Sequence, residues 1–168
     1  MRITGRTTRG EGRAHINYPV MIAVAATHCP EIADCGQYGT INVKLDQDID
    51  KGLADCWTPR TTWRSVYLGG NKSEPQDRIE EFGFTRIKFE YPLEGNFYDA
   101  WIIMPSGHEA SYYDARLVEI IAAALIGDSP IQPCNRCAIH LEDSPQIQRP
   151  QSFGSNWAPL IDQNRRRW

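Results

Sequence analysis

Apolar and polar residues alternate along this chain in short runs, broken by glycines and prolines. The clearest run is Phe84 to Tyr91. Thr85, Ile87, Phe89 and Tyr91 share one face, and Arg86, Lys88 and Glu90 share the other. That period of two predicts a strand with one buried face. Tyr38 to Leu45 repeats the pattern, with Ile41, Val43 and Leu45 toward a core and Thr40, Asn42 and Lys44 on the opposite side. Further strands are predicted at Arg2 to Thr8, Arg13 to Asn17, Thr62 to Leu68, Asn96 to Met104 and Cys137 to Leu141. Gly69-Gly70-Asn71 marks a turn, while Asp46 to Arg60 and residues 71–81 read as irregular. Two segments read as helix. Val20 to Thr27 is alanine-rich and ends before Pro30. From about Asp114 to Ile126, Leu117, Ile120, Ile121, Ala124 and Leu125 fall at helical spacing, with Asp114 to cap the start and Gly127 the end.

Many short strands punctuated by turns indicate a mainly β fold. A chain of 168 residues suits one domain with its own core. Residues 1–144 are read as that domain. Residues 145–168, rich in Pro, Gln, Ser and Asn, are read as a tail that is surface-packed or partly disordered. Phe153, Trp157 and Trp168 could pack on the body or on a partner. Trp57, Trp63 and Trp101 are expected in the core or its lid.

The net charge of −3 gives no overall field to attract nucleic acid, and the terminal Arg165-Arg166-Arg167 reads as a solvated end. There is no leader-like apolar stretch at the start and no run near the roughly 18 apolar residues of a membrane span. The expected setting is cytoplasmic. Five cysteines, Cys29, Cys35, Cys56, Cys134 and Cys137, are an odd number without an export signal, which predicts free thiols. Cys134 and Cys137 form a single CxxC, short of the four ligands of a structural zinc site unless Cys29 and His28 complete it. The four histidines are scattered and read mostly as structural; His108 and Glu109 could line a pocket.

Candidate chemistry gathers on the polar face of the second strand. Thr40 and Asn42 offer neutral, hard oxygen ligands of the kind Mg²⁺ accepts, and Lys44 adds a cation in line with them. Two neutral ligands hold Mg²⁺ weakly, so phosphates of a nucleotide would have to supply negative charge. A second feature is Arg9-Gly10-Glu11-Gly12-Arg13, a glycine loop whose backbone N–H groups can approach an anion.

In order, Thr8-Arg-Gly-Glu-Gly-Arg13, Tyr38-Gly-Thr-Ile-Asn-Val-Lys-Leu45, Phe97-Tyr-Asp-Ala-Trp-Ile-Ile-Met-Pro105, Ser111-Tyr-Tyr and Leu117-Val-Glu-Ile-Ile-Ala122 resemble the motifs of the archaeal-type CTP-dependent riboflavin kinases. The resemblance spans residues 3–142. It implies a six-stranded cradle-loop barrel, with one or two short helices, that transfers the γ-phosphoryl group of CTP to riboflavin to give FMN. It implies Thr40 and Asn42 as Mg²⁺ ligands, and Arg9, Gly10, Glu11, Gly12, Arg13 and Ala14 as a nucleotide cradle. Ala124, Leu125, Ile126 and Gly127 fall where the family again touches the nucleotide, with Lys44 contributing charge. Ser111 and Glu119 match flavin-contacting positions; Glu119 could accept a hydrogen bond from the substrate, and Tyr112 and Tyr113 are candidates to stack on the flavin. Three positions depart from the family pattern. Thr8 replaces a glycine, Ala14 replaces an aromatic residue, and residues 124–127 lack basic side chains. Two alternatives stand beside the kinase: a non-catalytic flavin- or nucleotide-binding module of the same fold, and a barrel-based interaction protein acting through its tail.

Overall fold

The computed structural model describes residues 1–9, 22–23, 25–35, 39–59, 61–62, 79–105, 114–122, 124, 126, 131–143 and 145–148. The strands are β1 (Arg2–Thr8), β2 (Ile41–Leu45), β3 (Leu53–Ala54), β4 (Cys56–Trp57), β5 (Thr61–Thr62), β6 (Ile79–Glu80), β7 (Phe82–Tyr91), β8 (Asn96–Pro105), β9 (Leu117–Ala122), β10 (Arg136–Leu141) and β11 (Ile147–Gln148). The main sheet runs β10-β1-β2-β9-β8-β7-β4, and β10 also pairs with β7. That last pairing closes six antiparallel strands into a barrel and leaves no free edge among them.

Alternation along each strand builds the interior. Ile3, Val43, Leu45, Ile87, Phe89, Ile102, Val118, Ile120 and Ile139 point inward and are buried together. Each such side chain contributes about 1.5–3 kcal/mol when fully removed from water. Gly5 is required where β1 crosses β2, because a Cβ there would lie 2.6 Å from the Lys44 carbonyl oxygen.

The outer face carries a second core. Ile22, Ala23, Ala25 and Ala26 are helical, in keeping with the alanine-rich pattern, and a 3-10 turn follows at Pro30–Ile32. This strap lays Ile22, Ala25, Cys29, Ile32 and Cys35 over Phe84, Trp101, Ile103 and Ile121. A disulfide between Cys29 and Cys56, with Cα atoms 6.1 Å apart, fastens the strap to β4. Free thiols were the expectation for all five cysteines, and this pair corrects it. The strap lies against β4 and brings together two residues 27 positions apart, a proximity that spacing alone does not reveal. Cys35 and Cys137 are buried free thiols.

The helix expected from Asp114 to Ile126 is also corrected. Leu117–Ala122 is strand β9, paired with both β2 and β8. Val118, Ile120 and Ala122 face the barrel interior, and Ile121 lies under the strap. Residues 120–122 are buried on both faces of β9, and such an apolar run is not separated from a helix by periodicity alone. Asp114 starts a turn rather than a helix, its carbonyl accepting from the Leu117 N–H at 2.8 Å.

The start of the tail packs back on the body. Ile147 and Gln148 pair with Ala54 and Leu53, and the Trp57 indole donates to the Ile147 carbonyl at 3.0 Å. Trp101 is buried in the second core and Trp57 packs on the first. The predicted strands at Arg13 to Asn17 and beyond Thr62, together with Trp63, lie outside the described residues. Among the described residues, no helix is long and apolar enough to cross a membrane.

Candidate functional site

Gly39 holds a positive φ of 79°, a conformation glycine adopts without strain. It delivers Thr40 at the entry to β2. The Thr40 hydroxyl donates to Glu119 Oε1 at 2.7 Å. Asn42 and Glu119 are direct partners across the β2–β9 ladder, and directly opposite side chains share a face. Three residues from two distant segments thus converge on one patch of the outer wall. All three are half-buried. Glu119 stands on strand β9, not on the helix expected for it, and this placement is what sets it beside Asn42.

The ladder extends the patch into a row. Phe84, Ile103, Glu119, Asn42 and Thr8 are successive partners across β7, β8, β9, β2 and β1. Phe84 and Ile103 belong to the second core, so Glu119 stands where the apolar cover ends and the polar face begins. The Asn42 carboxamide makes no hydrogen bond among the described residues. Of Glu119's oxygens, Oε1 is engaged by Thr40, and Oε2 has no protein partner among those residues.

As a donor set, a hydroxyl, a carboxamide oxygen and a carboxylate fit Mg²⁺. The Thr40 proton points to Glu119, which leaves the hydroxyl lone pairs for a cation. Glu119 brings the negative charge the two neutral ligands lack. Among the described residues, no zinc set forms around the CxxC. Cys29 is spent in a disulfide, Cys134 is exposed while Cys137 is buried, and no group of three His, Cys, Asp or Glu gathers among the described residues.

Supports surround the patch. Lys44, read from sequence as a phosphate neutraliser, pairs with Asp114 at 3.0 Å. Lys51 donates to the carbonyls of Asp114 at 2.9 Å and Leu117 at 2.8 Å, fixing the turn that launches β9. Burial pulls the Lys51 ammonium below its ordinary pKa, and Asp114 works against that shift. Lys51 escaped the sequence reading because it falls in an irregular acidic stretch with no motif.

The remaining predicted site residues divide. Arg9 is exposed just past the end of β1, and Ala124 is exposed. Ile126 is buried in the barrel core, so its side chain does not face a ligand on the outer wall. Gly10, Glu11, Gly12, Arg13, Ala14, Ser111, Tyr112, Tyr113, Leu125 and Gly127 lie outside the described residues, as do His108 and Glu109.

A second polar cluster went unread in the sequence. Glu90 lies on the outer face of β7, 3% exposed. Arg2 binds it through Nε at 3.1 Å and Nη2 at 3.0 Å. His140 Nε2 lies 2.6 Å away, and the Glu94 N–H donates at 2.6 Å. The Arg2 hydrogen bond is the largest cause that brings the Glu90 carboxyl down to about 2, against the opposing effect of burial. No family model matches this chain, and no curated protein matches it.

Proposed function

We propose that the protein is a phosphotransferase that moves the γ-phosphoryl group of a nucleoside triphosphate, CTP by the motif resemblance, to riboflavin, giving FMN. The observation that carries this reading is the convergence of Thr40, Asn42 and Glu119. Thr40 and Asn42 come from one motif and Glu119 from another, and the three meet on one face of one closed barrel. Thr40 and Asn42 would hold Mg²⁺, with the Glu119 charge beside it. The ion would supply charge neutralisation for the triphosphate.

Phosphoryl transfer demands positioning and charge stabilisation more than covalent chemistry from the protein. A riboflavin hydroxyl oxygen forms the new bond to the γ-phosphorus as the bond from that phosphorus to the β–γ bridging oxygen breaks. The nucleoside diphosphate leaves with that oxygen. Glu119 Oε2 accepts the hydrogen bond of the attacking hydroxyl and orients it, and the proton departs toward that carboxylate. Ile103 and Ile121 border the patch with apolar surface, which keeps competing water from one side.

A cytoplasmic setting belongs to the same reading. The Cys29–Cys56 disulfide weighs against it, since such bonds are rare in reducing compartments. A second reading, a non-catalytic flavin- or nucleotide-binding module, is favoured by the uncharged 124–127 segment and the inward Ile126.

The test is incubation with riboflavin, Mg²⁺ and each of CTP, ATP, GTP and UTP, with FMN resolved by chromatography. FMN from at least one donor is expected, together with its loss in Asn42→Ala at unchanged thermal stability. Riboflavin or nucleotide binding without FMN from any donor would replace the kinase with the binding module.

A further inference from the structure

One register step from the Thr8–Asn42–Glu119 row, the outer wall carries three cations in line. Arg136 on β10 is opposite Arg6 on β1, and Arg6 is opposite Lys44 on β2. Like charges directly opposite one another destabilise a sheet, so the row costs the fold something wherever it lacks counter-charge. Its two ends have that counter-charge. Arg136 pairs with Asp46 at 3.2 Å and Lys44 with Asp114 at 3.0 Å. Both carboxylates are further engaged: Asp46 accepts from the Thr4 hydroxyl, and Asp114 accepts from the Arg116 N–H at 3.0 Å.

The middle of the row is different. Arg6 is exposed and has no carboxylate within ion-pair distance among the described residues. Among the described residues, its side chain makes one hydrogen bond, from Nη1 to the Cys134 carbonyl at a long 3.4 Å. Asp46 feels its charge without pairing with it. Most of a guanidinium fork therefore faces solvent, flanked by two more cations. A planar fork of N–H donors matches the paired oxygens of a phosphate. Along the strands, Arg6 stands two residues from Thr8, and Lys44 two residues from Asn42. That is a separation of about 7 Å on the same face, within reach of a chain of linked phosphates anchored near Asn42.

We propose that Arg6, flanked by Lys44 and Arg136, forms an anion subsite for a polyphosphate chain lying along β1 and β2 beside Asn42. This deepens the phosphotransferase reading by assigning the direction in which the donor's phosphates run, and it rests on that reading only for the identity of the natural ligand.

The probe is inorganic tripolyphosphate, without nucleoside, riboflavin or Mg²⁺, titrated calorimetrically into the full chain at low ionic strength. The wild type should bind it, with affinity falling as salt rises. Arg6→Gln should weaken binding at least 10-fold, and Arg6→Lys should recover part of it. Arg86→Gln removes an exposed cation elsewhere on the outer wall and should stay within twofold of wild type. No binding by the wild type, an Arg6→Gln affinity equal to wild type, or an equal loss in Arg86→Gln would each overturn the subsite. FMN formation is read separately. Arg6-dependent tripolyphosphate binding without FMN removes the kinase and keeps the subsite; FMN formation with tripolyphosphate binding equal in Arg6→Gln and wild type keeps the kinase and removes the subsite.

Discussion

Glu119 carries the charge that Thr40 and Asn42 lack, and a single substitution isolates it. Glu119→Gln keeps an oxygen to accept the Thr40 hydroxyl but removes the negative charge. In the proposed kinase, the maximal rate should fall with loss of the proton acceptor, and the Mg²⁺ concentration for half-maximal FMN formation should rise roughly 10-fold, because ligand charge sets affinity in oxygen sites. The melting temperature should stay within a degree or two. An unchanged Mg²⁺ requirement would detach Glu119 from the metal. Thr85 makes the opposite case, a polar atom without employment. Its Oγ1 is buried in β7 and has no hydrogen-bond partner among the described residues. Thr85→Val replaces it with an apolar side chain of the same shape, and denaturant unfolding should show a gain of about 1 kcal/mol. The sequence marked Thr85 as inward-facing through its alternation with Ile87 and Phe89, but alternation is silent on whether a hydroxyl finds a partner.

At the scale of elements, strand period was legible where one face met water, and it failed at Leu117–Ala122, whose second half is buried on both sides. Phe84 to Tyr91 and Ile41 to Leu45 alternate because each has a solvated side, and both are strands. Leu117–Ala122 has the barrel on one side and part of the strap on the other, so its pattern imitates a buried helix. The same covering hid the site's assembly: Glu119 meets Asn42 through a ladder between segments 77 positions apart, and only strand pairing puts them there. The strap itself makes a measurable claim. Its disulfide joins residues 27 positions apart, and chain-entropy arguments assign such a closure about 3.5 kcal/mol. The Cys29→Ser/Cys56→Ser double variant should lose stability of that order in denaturant unfolding, and a reductant should lower the wild-type midpoint but not the variant's. Equal midpoints for the wild type with and without reductant would show that the strap holds by apolar packing alone.

For the whole molecule, the decisive contact is the one that turns a sheet into a barrel, β10 against β7. Glu90 sits at that seam and ties four pieces together: its own strand β7, Arg2 on β1, His140 on β10 and the turn at Glu94. The sequence placed Glu90 on the solvent face with Arg86 and Lys88, and the face was right. What the pattern missed is that partners far apart in sequence, Arg2 and His140, cover it. Its ionised form is favoured in the fold, with a carboxyl pKa of about 2 against an ordinary 4.5, the Arg2 hydrogen bond being the largest cause. A pKa depressed by folding means that the unfolded chain binds the proton more readily. The stabilisation is therefore complete above about 4.5 and is lost as pH falls from there toward about 2. Unfolding followed from pH 7 to pH 2 should show stability declining on this acid limb. Glu90→Gln should flatten that limb while lowering stability at pH 7, since Arg2 and His140 then face a neutral group. A wild-type acid limb reproduced unchanged in Glu90→Gln would place the acid sensitivity elsewhere and leave the seam dependent on its backbone ladder and core side chains alone.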